Sequence, residues 1–303
     1  MKSMLALIRR EQLEHRGAFF YAPTVLLLLF AGVLASAFAF NRIQVPLTVS
    51  GDNTLKFFSI AFLGMGFLWS IYLMVALFFY FADAFNADRR NNAMLFWKSM
   101  PQSDFKILMS KMLAALTVFP AQIFALLVVT GFILYGTTAA ATLVIPALTI
   151  PSIPHALVAS GQVLWFCLAY GVLALLWYSP FFAWVGMLST MFGRWSIPLA
   201  FLLPGLVVLG ENLFVRGFSN LIMPADGLRG GQVLAYLRER SSFGLDERGM
   251  FENAMDNGMA LDITGMLNRL VAGIDWLQLG GGILVAVLLV FVASEYRRRV
   301  ILT

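Results

Sequence analysis

His15, His155 and Cys167 are the chain's only imidazoles and its only thiol. Side chains of these types build most transition-metal centres and many nucleophilic relays. His15 stands in a basic N-terminal segment and His155 at the start of an apolar run. The charge pattern below puts the two on opposite sides of a membrane, so no histidine-based metal site forms within one chain. Cys167 lies inside an apolar run with no histidine to act as its base, and a serine nucleophile lacks a base as well. One cysteine closes no disulfide within the chain, and it reads as a small buried hydrophobe. Neither H-E-x-x-H nor G-x-x-x-x-G-K-[ST] occurs, so the sequence predicts neither a zinc peptidase nor a nucleotide site of its own. No catalytic residue, metal ligand or cofactor is expected in this chain.

The remaining chemistry is carried by charge and aromatic density. Asp83, Lys111, Glu211 and Glu295 fall near the ends of apolar runs, whereas ion-coupled carriers place acids or bases near the bilayer midplane. That pattern argues against a proton- or sodium-driven carrier. The stretch Asp83 to Lys111, DAFNADRRNNAMLFWKSMPQSDFKILMSK, packs acids, bases and aromatics between two apolar runs. Asp88, Arg89 and Arg90 precede the cluster Met94, Leu95, Phe96 and Trp97, Pro101 ends that helix, and Ser103 caps the next. The spacing predicts a short helix in the water interface, then a break, then a new span. A second cluster, Trp177-Tyr178-Ser179-Pro180-Phe181-Phe182-Ala183-Trp184, reads as packing or an interface belt, with a substrate-facing surface as the alternative. On that alternative Trp177, Tyr178 and Phe181 are candidate path residues, joined by Glu211, which otherwise reads as an interfacial acid beside the outer segment.

These residues must be positioned by membrane helices. The chain has 303 residues, 60% of them hydrophobic and only 12% charged, with a mean hydropathy of +0.82. A soluble domain carries about 25% charge, and a helix needs about 20 apolar residues to cross hydrocarbon. The runs do not alternate as barrel strands do. The fold class is therefore an all-α polytopic membrane protein. Six spans are expected: Ala18 to Phe40, Phe57 to Ala82, Met112 to Tyr135, Val158 to Phe192, Ser196 to Phe214 and Leu277 to Ser294. The first is read as a retained span and not as a signal peptide. The fourth contains Pro180 and is read as one kinked helix ending at Gly193-Arg194-Trp195.

Basic residues collect on the cytoplasmic side. Arg9, Arg10 and Arg16, then Arg89, Arg90, Lys98, Lys106 and Lys111, then Arg297, Arg298 and Arg299 place both termini and the second-to-third connection inside. Two inside ends require an even number of spans. The net charge of +5 is thus an orientation signal and does not imply nucleic acid. Residues 1–17 read as an amphipathic interfacial helix, with Met4, Leu5 and Ile8 on one face. Residues 18–303 form the transmembrane domain. The segment from about Val215 to Trp276 is the one sizeable polar part, and Val233 to Arg240 and Leu261 to Ile274 in it have helical spacing.

Asp88-Arg89-Arg90 through Leu95-Phe96-Trp97-Lys98-Ser99-Met100-Pro101, with Ser103 and Lys111 after it, resembles the charged stretch and "LFWKSLP"-like run of ABC-2 family transporter permeases. Trp177-Tyr178-Ser179-Pro180 through Ser189, then Arg194, resembles that family's fourth-span pattern. The resemblance implies a multi-pass subunit of the inner membrane. Two permease copies, identical or related, would pair around a path. Separate cytoplasmic ABC ATPase subunits beneath them would hold ATP and Mg. It also implies that Asp88, Arg89, Arg90, Leu95, Phe96, Trp97, Lys98 and Met100 form a coupling helix gripped by the ATPase, and that the pump is an exporter. Membrane lipid is the remaining expected partner. The alternative from another class is a membrane scaffold or sensor whose outer segment binds a partner.

Overall fold

The computed structural model describes residues 2–39, 54–90, 103–144, 150–222, 232–241 and 262–300, and every element among them is helical. In chain order these are α1 (Lys2–Glu14), a π-helical turn (Gly17–Tyr21), α2 (Ala22–Ala39), α3 (Thr54–Arg90) and α4 (Asp104–Val144). Then come α5 (Ile153–Phe192), a 3-10 turn (Gly193–Trp195), α6 (Ser196–Ile222), α7 (Gln232–Ser241), α8 (Ile263–Gly273) and α9 (Trp276–Val300). Five stretches are long and apolar enough to cross a membrane: Gly17–Ala37, Thr54–Ala87, Asp104–Thr142, Ile153–Glu211 and Trp276–Arg299. The helices overrun the expected spans at several ends. Hydropathy marks only the apolar centre of a helix, and backbone hydrogen bonding carries it on into polar sequence such as Asp83–Arg90.

The 59-residue stretch Ile153–Glu211 is not one rod. Gly193 has φ of +58°, a left-handed conformation that ends α5 and that a Cβ would strain. Asn86 Nδ2 closes the space beside it, 3.2 Å from where that Cβ would sit. Past this point the chain doubles back. Trp184 donates its indole N–H to the Ala200 carbonyl at 3.4 Å, and the Phe181 and Phe201 rings are 6.2 Å apart. Sixteen residues of straight helix would hold the first pair about 24 Å apart. The ends of α5 and α6 nearest the turn are therefore an antiparallel hairpin.

Proline inside a helix removes the donor for the carbonyl four residues back. In apolar surroundings that carbonyl needs another partner. Pro180 strips Leu176, and the neighbouring Ser179 hydroxyl donates to the Leu176 carbonyl at 2.7 Å. Pro204 strips Ala200, and it is Trp184 from across the hairpin that supplies the N–H. We expect Trp184→Phe to cost about 1 kcal/mol through that orphaned carbonyl, the low end for a bond this long. The cost should vanish in a Pro204→Ala background, where the backbone again donates. Apparent unfolding midpoints of the four proteins in this cycle measure it, and equal costs in both backgrounds would show that the indole bond contributes nothing.

The chain forms two compact units. One takes in the described parts of Met1–Leu77, Ser110–Leu175 and Glu247–Ile274. There Phe19 stacks on Phe119 at 3.9 Å, Trp69 donates to Thr130 Oγ1 at 3.0 Å, and Tyr72 donates to the Ala18 carbonyl at 2.5 Å. Gly131 leaves room for the Phe62 ring, and Gly66 does so for the Cys167 sulfur. The other unit takes in the described parts of Phe78–Met109, Leu176–Asp246 and Asp275–Thr303. Its core is aromatic, with Phe81 stacked on Phe182 and Phe85 seated on Gly186, and at its edge Phe78 packs against Phe181 and the largely exposed Phe201.

α1 differs from the expected amphipathic surface helix in which side is covered. Leu7 and Glu11 are buried, whereas Leu5 is 66% exposed and Met4 and Ile8 are partly covered. The reason is polar. Glu11 faces inward to meet Lys111, and Leu7, one turn earlier, follows it.

Candidate functional site

The expected coupling segment lies mostly outside the described residues: Leu95, Phe96, Trp97, Lys98 and Met100 are among these. Its start is described and departs from expectation. Asp88, Arg89 and Arg90 are the last turn of α3, so no separate helix begins at Asp88. At the far end Ser103 precedes α4, and its hydroxyl accepts from the Lys106 N–H at 3.3 Å, an N-cap. Asp104, in the first turn, adds negative charge where the helix dipole is positive. The thirteen residues 91–103 therefore join two helix ends.

The base of α4 carries two ion pairs. In the first unit, Lys111 Nζ meets Glu11 Oε1 at 2.9 Å, with side chains only 3% and 5% exposed. His15 Nε2 stands 3.7 Å from the other oxygen of Glu11, and its ring meets Phe119 edge-on. In the second unit, Arg297 Nε lies 3.2 Å from Asp104 Oδ1, with exposures of 1% and 32%. That N–H is not aimed at the oxygen, so this atom pair is a charge attraction. The sequence placed Lys111 near a span end. The structure buries it inside the helix wall, because Glu11 is there to neutralise it.

Of the candidate path residues, Trp177 and Phe181 are one turn apart on α5 and share a face. Phe181 is packed against Phe78 and Phe201 and stays partly exposed. Trp177 is buried, and Tyr178 and Glu211 are partly exposed. Trp177 lies fifteen residues before Phe192, and Glu211 lies fifteen after Ser196. At 1.5 Å per residue both stand about 22 Å along their helices from the turn, but Phe181, at about 16 Å, already lies opposite Phe201, at about 8 Å, so Trp177 and Glu211 do not share a level of the hairpin.

Beside Trp177 the structure adds a residue that sequence reasoning missed. Arg240, near the end of α7, lays its guanidinium over the Trp177 ring, 4.5 Å from the centroid. Its Nη2 donates to the Trp177 carbonyl at 3.0 Å and its Nη1 to the Gln278 carbonyl at 2.9 Å. Trp177 answers by donating its indole N–H to the Arg240 carbonyl at 2.8 Å. Gln278 Nε2 donates to Glu239 Oε1 at 3.4 Å. Gly282 of α9 lies directly beneath, and any Cβ there would overlap the guanidinium. One side chain thus ties α7 to α5 and α9. The available signal was Gly280-Gly281-Gly282. Glycine costs about 1 kcal/mol in a helix interior, so a run of three marks a close approach.

Compared with known protein families, with characterised proteins and with solved structures, the chain matches none. Among the described residues no cluster of His, Cys, Asp or Glu is suited to a metal ion.

Proposed function

We propose that this chain is the membrane-spanning subunit of an ATP-driven exporter, similar to ABC-2 permeases. A separate cytoplasmic ATPase would bind ATP and Mg, and a second permease copy would complete the path. One observation carries the reading: a basic, aromatic elbow of the form Asp88-Arg89-Arg90…Leu95-Phe96-Trp97-Lys98-Ser99-Met100-Pro101 joins two long apolar helices in a chain with no P-loop. If Ile153–Glu211 makes two crossings at its hairpin, the five apolar stretches become six spans, with both termini in the cytoplasm.

The arrangement gives the elbow mechanical leverage. α3 runs unbroken to Arg90 and α4 starts at a capped Asp104, so only the thirteen residues 91–103 separate the two helices. A push on them reaches both. The base of α4 is held to α1 by Lys111 and to α9 by Asp104, so its displacement loads those helices as well. ATP closing the ATPase pair would shift the spans between inward-open and outward-open populations, and hydrolysis would reset them.

The test is substitution of Phe96 and Trp97 by alanine in the full chain, with the P-loop ATPase encoded nearest to it as bait. Buried aromatic anchors contribute about 2 kcal/mol or more to an interface, so each variant should weaken association by about thirtyfold and abolish stimulation of ATP hydrolysis. Unchanged association and unchanged stimulation in both variants would remove the proposal.

A further inference from the structure

We propose that Arg240 is a releasable bolt. α7 is held closed over α5 and α9 while the guanidinium grips the Trp177 and Gln278 carbonyls, and its withdrawal opens the outer mouth of the path. The word path rests on the permease reading. The hold on α7 does not.

The bonding favours a bolt over a permanent strut. A cation removed from water is ordinarily matched by a carboxylate, and separating such a pair is costly because it strands a buried charge. Here the partners are two backbone carbonyls and an aromatic face, all neutral, and among the described residues no carboxylate forms an ion pair with Arg240. Opening leaves no buried counter-ion behind. The closed state is also incompletely satisfied. Arg240 Nε and the Gln278 side-chain oxygen are both buried without a hydrogen-bond partner. Each such atom costs free energy in the closed state that water recovers on opening. Trp177 and Gln278 contribute carbonyls from two different helices, α5 and α9, so the bolt reports any change in their separation. Gly282 supplies the slot, since the guanidinium occupies the volume a side chain would take.

The experiment uses the full chain with Cys167→Ser, which removes its one thiol. Glu239→Cys with Gln278→Cys places two thiols at the bases of side chains whose tips meet at 3.4 Å, and it leaves the gripped Gln278 carbonyl in place. A short bifunctional methanethiosulfonate, which replaces the reach of the two lost side chains, should cross-link this pair, and adding Arg240→Ala should slow the reaction by about tenfold. Equal rates would show that Arg240 does not hold α7. In a second arm, Tyr178→Cys is the lone thiol, and a membrane-impermeant maleimide is applied from the side opposite the arginine-rich C-terminus. Labelling should quicken by about tenfold with Arg240→Ala, and likewise with Gly282→Ala, which evicts the guanidinium while keeping the arginine. Unchanged labelling in both variants would overturn the closure. Labelling that responds to both variants, but never to ATP with the partner ATPase bound, would remove the permease reading and leave the bolt standing.

Discussion

Lys111→Met is expected to destabilise the chain by about 3 kcal/mol, more than any conservative surface change, because it strands Glu11. The pair is nearly closed to water, with side chains 3% and 5% exposed, and its contact is 2.9 Å. Losing one partner of such a pair costs about 3–5 kcal/mol, almost all of it the penalty of the charge left behind. His15 stands 3.7 Å from Glu11 and can take over part of the neutralisation, which places the expectation at the low end. The companion result is what separates this account from simple loss of packing. Glu11→Leu combined with Lys111→Met removes both charges and should recover most of the stability, since apolar replacements of buried pairs are often neutral or better. Apparent unfolding midpoints of the single and double variants in detergent give the comparison. A single variant within about 0.5 kcal/mol of the parent would mean that water reaches the pair.

Lys111 also shows where sequence stops. As the last residue of the charged stretch Asp83 to Lys111, it was legible as an interfacial lysine, and nothing local distinguishes it from Lys106. Its partner is a hundred residues away on a helix whose apolar pattern pointed elsewhere. The Met4, Leu5 and Ile8 face was read from spacing alone, and spacing cannot weigh one buried acid against three aliphatic residues. What sequence did carry was local and periodic. The helical patch Val233 to Arg240 lies on α7, α8 falls within the patch Leu261 to Ile274, and Ser103 caps α4. The Gly193-Arg194-Trp195 turn was legible because glycine and a basic residue interrupt a long apolar run. The Arg240 grip was not, because it joins α7 to two carbonyls 63 and 38 residues away and carbonyls leave no mark in a sequence. The same holds for Trp184. Its aromatic cluster read as packing, an interface belt or a substrate-facing surface, and the structure gives its indole the repair of a proline break, which no local pattern shows.

The C-terminal arginines divide in a way that charge counting cannot. Arg297, Arg298 and Arg299 counted equally toward orientation. Arg298 and Arg299 are exposed and reach Glu295 on their own helix at 2.8 and 2.7 Å, whereas Arg297 is buried against Asp104. Exposed pairs within one helix contribute about 0.3–0.5 kcal/mol, so Arg298→Ala and Arg299→Ala should each change stability by less than that. Arg297→Asp is expected to cost about 3 kcal/mol, because it replaces attraction by repulsion at a site 1% exposed. Asp104 is one-third exposed and can lean into solvent, which keeps the cost from rising further. The reversed pair, Arg297→Asp with Asp104→Arg, should regain at least half of it, and no regain would mean that Arg297 acts through other neighbours. Asp104 is the first helical residue after the elbow, so the same variants bear on coupling. If the elbow drives α4, Arg297→Asp should leave the ATPase bound while its stimulation is lost, since the grip is intact and only the load path is cut. The reversed pair should restore both stability and stimulation. Stability regained without stimulation would confine Arg297 to holding the fold and would place the transmission elsewhere along α4.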